Sequence, residues 1–274
     1  IKEQYTHNIF SYYLVMKVPI LLPNIFNHPF TYESDFDLKV GDYVVVPFGK
    51  SKITGVVWDE FEKENKRRFK VKNVLKKLNV PPLKKNFIRF LNWFAEYNII
   101  PRGMALKLVL LSGNAIEKSE KDAYEIFKSR ISTNLIELSE EQKKSLKKMN
   151  MYNKKFRVHV LQGTTGSGKT MVYFEALKEI INKGFQGLIL LPEIGLTGEF
   201  EKKFTEFFGF NPAVWHSGIN KKKKEIIWSG VNKGKIKVII GARSSLFLPF
   251  RKLGLIIVDE EHDQSYKQDE GVIY

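Results

Sequence analysis

The chain has 274 residues, 43% hydrophobic and 27% charged, which is ordinary globular usage and enough for about two domains. Lysine and arginine total 45 against 30 acidic residues, a net charge of +15 that points to a polyanionic partner, either nucleic acid or an anionic membrane surface. There is no cysteine, which excludes disulfides, cysteine-held zinc, iron–sulfur clusters and thiol catalysis within this chain, and aromatics at 13% exclude wholesale disorder.

No apolar run reaches the roughly 18 residues of a membrane span, and the first residues lack a positive-then-apolar signal pattern. A cytoplasmic location and no membrane partner are expected. The sequence starts at Ile1 rather than a methionine and stops at Tyr274 after an acidic, glycine-containing stretch, so it reads as a piece of a longer protein.

Residues 10–60 read as short strands. Val15, Val18 and Ile20 alternate with other residues, Phe30 to Tyr32 is a second short run, Tyr43 to Val46 follows a Gly-Asp turn, and Ile53 to Trp58 is β-branched around Gly55. Short strands separated by turn residues suggest a small barrel or meander. Residues 63–77 carry eight Lys/Arg against one Glu, either a solvated edge or one that faces phosphates. Residues 84–98 read as a helix, with Phe87, Phe90, Leu91 and Phe94 at i, i+3, i+4 and i+7. Residues 112–137 are mostly polar and read as a linker.

From residue 156 the pattern becomes strand-then-helix. Strands are predicted over 157–161, 187–191, 213–216, 237–240 and 255–258, mostly continuous apolar runs as in parallel sheets covered on both faces. A helix is predicted over 169–182, with Tyr173, Ala176, Leu177, Ile180 and Ile181 on its inner face and Lys183-Gly184 as its end. The predicted fold is α/β: a P-loop lobe with a parallel sheet, preceded by a small mainly-β domain. Lys221 to Lys224 is either a solvated helix start or a local contact to nucleic acid.

Gly163, Thr164, Thr165, Gly166, Ser167, Gly168, Lys169 and Thr170 match G-x-x-x-x-G-K-[ST], after a predicted strand and opening a helix. The glycines let successive N–H groups turn inward around phosphates, and the helix N-terminus adds favourable potential. Lys169 should reach the β- and γ-phosphates of ATP, and Thr170 should place its hydroxyl on Mg²⁺. The apolar run 255–258 ends in Asp259-Glu260-Glu261-His262. Asp259 at the strand tip suits an Mg²⁺ carboxylate, and Glu260 is placed to orient or deprotonate the attacking water. His262, directly after the glutamates, is a candidate coupling residue between nucleotide and a bound strand. Gln142 lies 27 residues before Lys169. Its amide can pair with both faces of adenine's N6/N7 edge, and with Ser139 it also fits a capping box; the two readings are compatible.

Taken together, the loop 163–170, residues 191–197, His216-Ser217-Gly218, residues 241–247 and Asp259 to His262 resemble the first half of a superfamily 2 helicase. Residues 241–250 and 259–271 resemble the PriA family of replication-restart helicases, and residues 29–32, 40–50 and 69–75 resemble that family's 3′-end DNA-binding domain. The resemblance covers about 14–110 and 138–274. It implies a DNA-binding domain over 1–111, a linker over 112–137, and the first RecA-like lobe over 138–274.

The resemblance further implies an ATP-dependent 3′→5′ DNA helicase acting at stalled forks, with DNA, primosome proteins and single-strand-binding proteins as partners and a monomeric state. Pro192, Thr197, Arg243 and Ser244 would line the single-strand track, Gln142 would read adenine, and Phe30, Gly49 and Lys72 would form a pocket for a DNA 3′ end. Phe30 as core packing, Gly49 as a turn and Arg243 as an ion-pair partner are the plainer readings of those residues.

Three departures stand out. Thr31 occupies a position where the family commonly has an aspartate, which bears on recognition of a terminal 3′-hydroxyl. Residues 112–137 are too few for the family's winged helix. The chain stops before a second lobe, an arginine finger and the family's zinc-binding insert, so zinc is expected only outside it and the isolated chain is expected to be inactive. A structure-specific DNA-binding loader with secondary ATPase and a double-strand DNA translocase remain as alternatives.

Overall fold

Strand β1, Met16–Leu21, buries Val18, Ile20 and Leu21, and its apolar alternation continues in β2 (Phe30–Ser34), β3 (Tyr43–Phe48) and β4 (Ser51–Val57). The computed structural model describes residues 16–61, 71–110, 137–149, 155–192 and 198–266. The chain divides into two compact units, Ile1–Glu96 with Pro101–Lys107, and Tyr97–Ile100 with Leu108–Tyr274.

In the first unit the strand order is β5-β2-β1-β4-β3-β6, where β5 is Lys72–Asn73 and β6 is Lys76–Lys77. These two edge strands are consecutive pieces of one stretch. Lys72 and Asn73 pair with β2, Lys76 and Lys77 pair with β3, and between them Val74 donates to the Glu33 carbonyl and Leu75 to the Val45 carbonyl. The stretch therefore spans the gap between β2 and β3 and closes the sheet into a small barrel, which removes its open edges. Val18, Ile20, Leu22, Tyr32, Val44, Val46, Val57 and Val74 fill it. Helix α1, Lys85–Tyr97, follows; its buried face is Ile88, Leu91, Phe94 and Ala95. That face is rotated from the predicted stripe, since Phe87 and Phe90 are only partly covered.

The second unit holds a four-stranded parallel sheet in the order β10-β7-β9-β8: β7 is Gln186–Leu190, β8 Ala213–Trp215, β9 Val238–Gly241 and β10 Leu253–Val258. Strands β7 and β9 are buried throughout. After α2 (Arg102–Val109), the helices are α3 (Glu140–Met149), α4 (Lys169–Asn182), α5 (Gly198–Phe208) and α6 (Lys221–Asn232). Helix α4 starts and stops where predicted. It ends as Gly184 donates to Ile181 O and Phe185 to Ile180 O, the paired bonds that a glycine beyond the last turn permits. Phe174 of α4 meets Phe204, Phe207 and Phe208 of α5 with ring centroids 5.2–5.6 Å apart, over Ile189 and Ile240 of the sheet. Each fully buried aromatic contributes about 1.5–3 kcal/mol.

The predicted strand 157–161 is not a strand. Residues 156–161 run without sheet pairing, and Phe156, Val158 and Val160 are exposed at 92%, 77% and 89%. The strand pattern is present, but a strand needs a neighbour for its N–H and C=O groups. Among the described residues β10 pairs only with β7, and its Ile256 and Val258 are half exposed. The expectation of coverage on both faces holds for β7 and β9 and fails for β10. No helix among the described residues is long and apolar enough to cross a membrane.

Candidate functional site

Residues Gly163 to Gly168 lead straight into α4, with Lys169 and Thr170 as its first two residues. Gly166 and Gly168 have φ of 81° and 79°, in the left-handed region that glycine enters without strain. Ser167 N–H closes the loop on Thr164 O at 3.2 Å. The Lys169 ammonium folds over the loop, donating to Gly163 O at 2.8 Å and Thr164 O at 3.1 Å. The loop itself is exposed, as a ligand-binding loop must be.

Gln142 lies against this loop. Its Nε2 is 3.4 Å from Ser167 O and 3.5 Å from Gly168 O, and a Cβ on Gly168 would collide with it. Its Oε1 accepts from Ser139 N–H at 2.9 Å while Ser139 Oγ accepts from Gln142 N–H at 3.3 Å, the reciprocal capping box. The capping reading is thus realised, and the same side chain borders the loop that would hold the nucleotide.

Asp259 follows β10 and is fixed on all sides. Its N–H donates to Leu190 O at 3.0 Å. Its Oδ1 accepts from Glu260 N–H at 3.1 Å, its Oδ2 from the Tyr173 hydroxyl at 2.7 Å, and its carbonyl from the Tyr266 hydroxyl at 2.8 Å. Burial, then the negative charge of Asp259, pushes both phenols above their ordinary range, so both remain donors. Tyr173 lies three residues beyond Thr170 and four beyond Lys169, on the same face of α4. Helix spacing therefore turns the end of the phosphate loop toward the acidic strand tip.

Glu260 has φ of 48°, a strained conformation for a non-glycine residue. Its side chain is 58% exposed and lies 3.5 Å from His262, whose other neighbour in charge is Glu261 at 3.7 Å. His262 is 75% exposed, and its ion-pair partners among the described residues are these two glutamates.

Thr170 and Asp259 offer hard oxygen donors, and the Asp259 carboxylate is held by the Tyr173 hydroxyl. Such a sparse donor set fits Mg²⁺, which keeps waters and takes its remaining ligands from phosphates. It does not fit an ion caged wholly by protein, and no group of three His, Asp or Glu that could form such a cage occurs among the described residues.

On the far side of Asp259, the Arg243 guanidinium donates to Tyr266 O at 2.9 Å. Arg243 and Ser244 begin a 3-10 turn, Arg243–Phe247, directly after β9, and both are partly exposed. Gly241 permits that turn, because a Cβ there would approach Trp215 O to 2.6 Å. Pro192 is buried just beyond β7. Thr197 lies outside the described residues, as does the linker stretch over 112–136.

In the first unit, Phe30, Phe48, Phe26 and His28 form an aromatic cluster, with ring centroids 5.2 Å apart for Phe30–Phe48, 5.4 Å for Phe26–Phe30 and 5.1 Å for His28–Phe30. Gly49 follows Phe48 in the two-residue turn of the β3–β4 hairpin, with φ of 59°. A Cβ at Gly49 would meet nothing within 4 Å, so the requirement there is conformational. Lys72 pairs with Tyr32 across β2–β5, one residue on from Thr31, and its side chain is exposed. Phe30 therefore meets Phe48, the residue before Gly49, and Lys72 lies on the strand adjoining β2. Lys77 instead forms a 2.8 Å ion pair with Asp42, so not every lysine of the basic stretch faces solvent.

Sequence reasoning placed Tyr173 only on a core face and did not single out Tyr266, Phe26, His28 or Phe48. For Tyr173 the signal was available in its spacing from Thr170. For Tyr266 and the aromatic cluster, only the fold brings the partners together.

Comparison with known proteins gives two family matches along the chain. Residues 17–111 match the family model of the PriA 3′ DNA-binding domain, and residues 135–273 match that of the type III restriction enzyme, res subunit. Replication restart protein PriA of Rickettsia conorii is 39% identical over 93% of this chain and 39% of that protein. The protein of the same name in Haemophilus influenzae is 27% identical over 92% of the chain and 44% of its own length. That of Bacillus subtilis is 42% identical over 42% of the chain and 14% of its own length. The chain spans about two-fifths of the length of the first of these relatives.

Proposed function

The chain belongs to the type III restriction enzyme res-subunit family through residues 135–273 and to the PriA replication restart proteins across most of its length, and from that premise we propose that it supplies the ATP-binding lobe and DNA 3′-end-binding domain of a replication-restart helicase. The activity proposed for the whole protein is ATP-dependent 3′→5′ unwinding at stalled or abandoned forks, leading to primosome assembly in the cytoplasm, with DNA, primosome proteins and single-strand-binding proteins as partners. The observation that carries this reading is the Tyr173–Asp259 hydrogen bond, which places the helix opening from the phosphate loop against the acidic strand tip.

In this reading the Lys169 ammonium exchanges the loop carbonyls of Gly163 and Thr164 for the β- and γ-phosphates of ATP, while the loop N–H groups and the α4 N-terminus bind the phosphate oxygens. Gln142, beside the loop, borders the base end of the site. Thr170 and Asp259 would hold Mg²⁺, which when bound would supply positive charge opposite the charge developing on the phosphates. Glu260 accepts the proton of the attacking water as the new O–P bond forms and the bond to the β-phosphate oxygen breaks, releasing ADP. Arg243 and Ser244, with Pro192 and Thr197, contact strand phosphates without reading sequence. Phe30 and Gly49, with Lys72 on the adjoining strand, receive a DNA 3′ end: an aromatic face for the base, an open backbone approach and a cation for the phosphate. The domain limits 1–111, 112–137 and 138–274 and the coupling role of His262 belong to this proposal.

Strand displacement by the intact protein tests it. A fork with a labelled lagging strand should be unwound with ATP and Mg²⁺, and Lys169→Ala should abolish unwinding. A double-strand translocase, the reading favoured by the res-subunit match alone, would displace a bound triplex strand and leave the fork paired. That outcome would replace the helicase reading.

A further inference from the structure

Tyr173 has no place in the chemistry above, yet it holds the most constrained hydroxyl around the acidic strand tip. Its ring is 7% exposed and packs in the core of the second unit, with Phe174 at 5.3 Å edge-on. Its hydroxyl donates to Asp259 Oδ2 at 2.7 Å. Tyr173 lies three residues beyond Thr170 on α4, so one rigid aromatic links the helix that starts at Lys169 and Thr170 to the end of β10.

We propose that Tyr173 is a positioning residue for the metal site, setting the orientation of the Asp259 carboxylate before Mg²⁺ arrives. The inference rests on the nucleotide-site reading above and adds to it a residue that touches neither phosphate nor reacting water.

The geometry supports this in three ways. The carboxylate is held from both oxygens, by Tyr173 at Oδ2 and by Glu260 N–H at Oδ1. Each carboxylate oxygen has a second acceptor site, so both bonds leave lone pairs directed outward for a metal or its waters. The phenol is anchored by its buried ring, so the hydroxyl cannot follow the carboxylate if it rotates. A hydrogen bond from a buried, fixed donor is the usual device by which proteins orient a metal-binding carboxylate, and loss of such a partner costs about tenfold or more in metal affinity.

The test is Tyr173→Phe in the intact protein, which keeps the ring and removes only the hydroxyl. Binding of a fluorescent ATP analogue in EDTA should change less than about twofold, since Lys169 and the loop are untouched. Mn²⁺ affinity of the ATP complex, read from the free Mn²⁺ electron paramagnetic resonance signal, should fall about tenfold. The Mg²⁺ concentration for half-maximal ATPase should rise by a similar factor. Phe174→Leu weakens the same core without touching Asp259, so it should lower the unfolding temperature and leave Mn²⁺ affinity unchanged. Equal or tighter Mn²⁺ binding by Tyr173→Phe would overturn the proposal, as would equal loss in Phe174→Leu. If the unaltered protein shows no metal-dependent ATP binding at all, the nucleotide-site reading falls and takes this proposal with it.

Discussion

The Tyr173 hydroxyl donates a 2.7 Å hydrogen bond to Asp259 Oδ2 across 86 positions of sequence. That bond joins the helix that opens from the phosphate loop to the strand that ends in the acidic cluster. Through the Tyr266 hydroxyl on the Asp259 carbonyl, and Arg243 on Tyr266 O, it continues to the turn proposed to contact DNA. Two clusters that are far apart in sequence thus form one polar layer over the ends of β9 and β10.

Lys169→Ala should abolish ATP hydrolysis by the intact protein and leave fork affinity within about threefold. Among the described residues the Lys169 ammonium bonds the Gly163 and Thr164 carbonyls, both on the exposed loop, so its loss breaks no core hydrogen bond. The check is a steady-state ATPase assay beside a nucleotide-free gel shift. Equal loss in both would contradict the division of labour between phosphate loop and DNA-binding domain.

Gln186 predicts a stability effect unrelated to chemistry. Fully buried, its Nε2 donates to Val231 O and Ile236 O at 3.1 and 2.7 Å, and its Oε1 accepts from Arg251 and Lys252 N–H at 2.7 and 2.9 Å. Gln186→Leu takes the amide partner from Ile236 O and from the Arg251 and Lys252 N–H groups, while Val231 O keeps the Gly234 N–H at 3.0 Å; each stranded group costs about 1–3 kcal/mol if left buried and unpaired. A loss of about 3 kcal/mol or more in urea unfolding is expected, allowing for partial relaxation. A loss below about 1 kcal/mol would show that water replaces the amide.

Stability should fall as pH rises above about 10. Burial raises the pKa of Tyr43 and, together with Asp259, that of Tyr173, above the ordinary value of 10.0. A raised acid binds its proton more tightly in the folded state. Its contribution is therefore fully present below the unfolded pKa and is lost as pH climbs from there toward the folded value. Tyr43→Phe and Tyr173→Phe should each flatten the alkaline slope by up to one proton, measured by urea unfolding at pH 9 to 11.5. An unchanged slope in both variants would contradict the assignment.

DNA binding by the basic first unit should depend on salt. If roughly five phosphates are neutralised on a single strand, log K should fall with log salt at a slope of about −3.5. Lys72→Ala should weaken binding of an exposed 3′ end more than that of a blocked end, since Lys72 is exposed on the strand beside Tyr32. Fluorescence anisotropy at several salt concentrations decides both points. A slope near zero would remove phosphate contact as the reason for the +15 charge.

Much of this was legible in the sequence because it is local. Helix α4 and the Ser139–Gln142 capping box each depend on neighbours within a few residues, and both form where expected, whereas the strand expected before the loop 163–168 does not. Barrel closure was not legible. Nothing in the order of residues 72–77 says that one half pairs with β2 and the other with β3. The strand pattern of 157–161 misled for the same reason: alternation describes a strand's faces, whereas its existence depends on an edge to pair with. At the site, Asp259 and Glu260 could be named from a motif. The donors that fix Asp259, Tyr173 and Tyr266, become visible only when α4 and the 3-10 turn Gln264–Tyr266 converge on β10.

The most direct test of the central claim is the ATPase rate of the intact protein with no DNA, with linear duplex, and with a fork carrying a free 3′ leading end. If the first unit binds a DNA 3′ end and the loop 163–170 binds ATP, as proposed, the rate should be stimulated most by the fork. Glu260→Gln should bind ATP normally and show no stimulated turnover. Equal rates on all three substrates, or normal turnover by Glu260→Gln, would contradict the account.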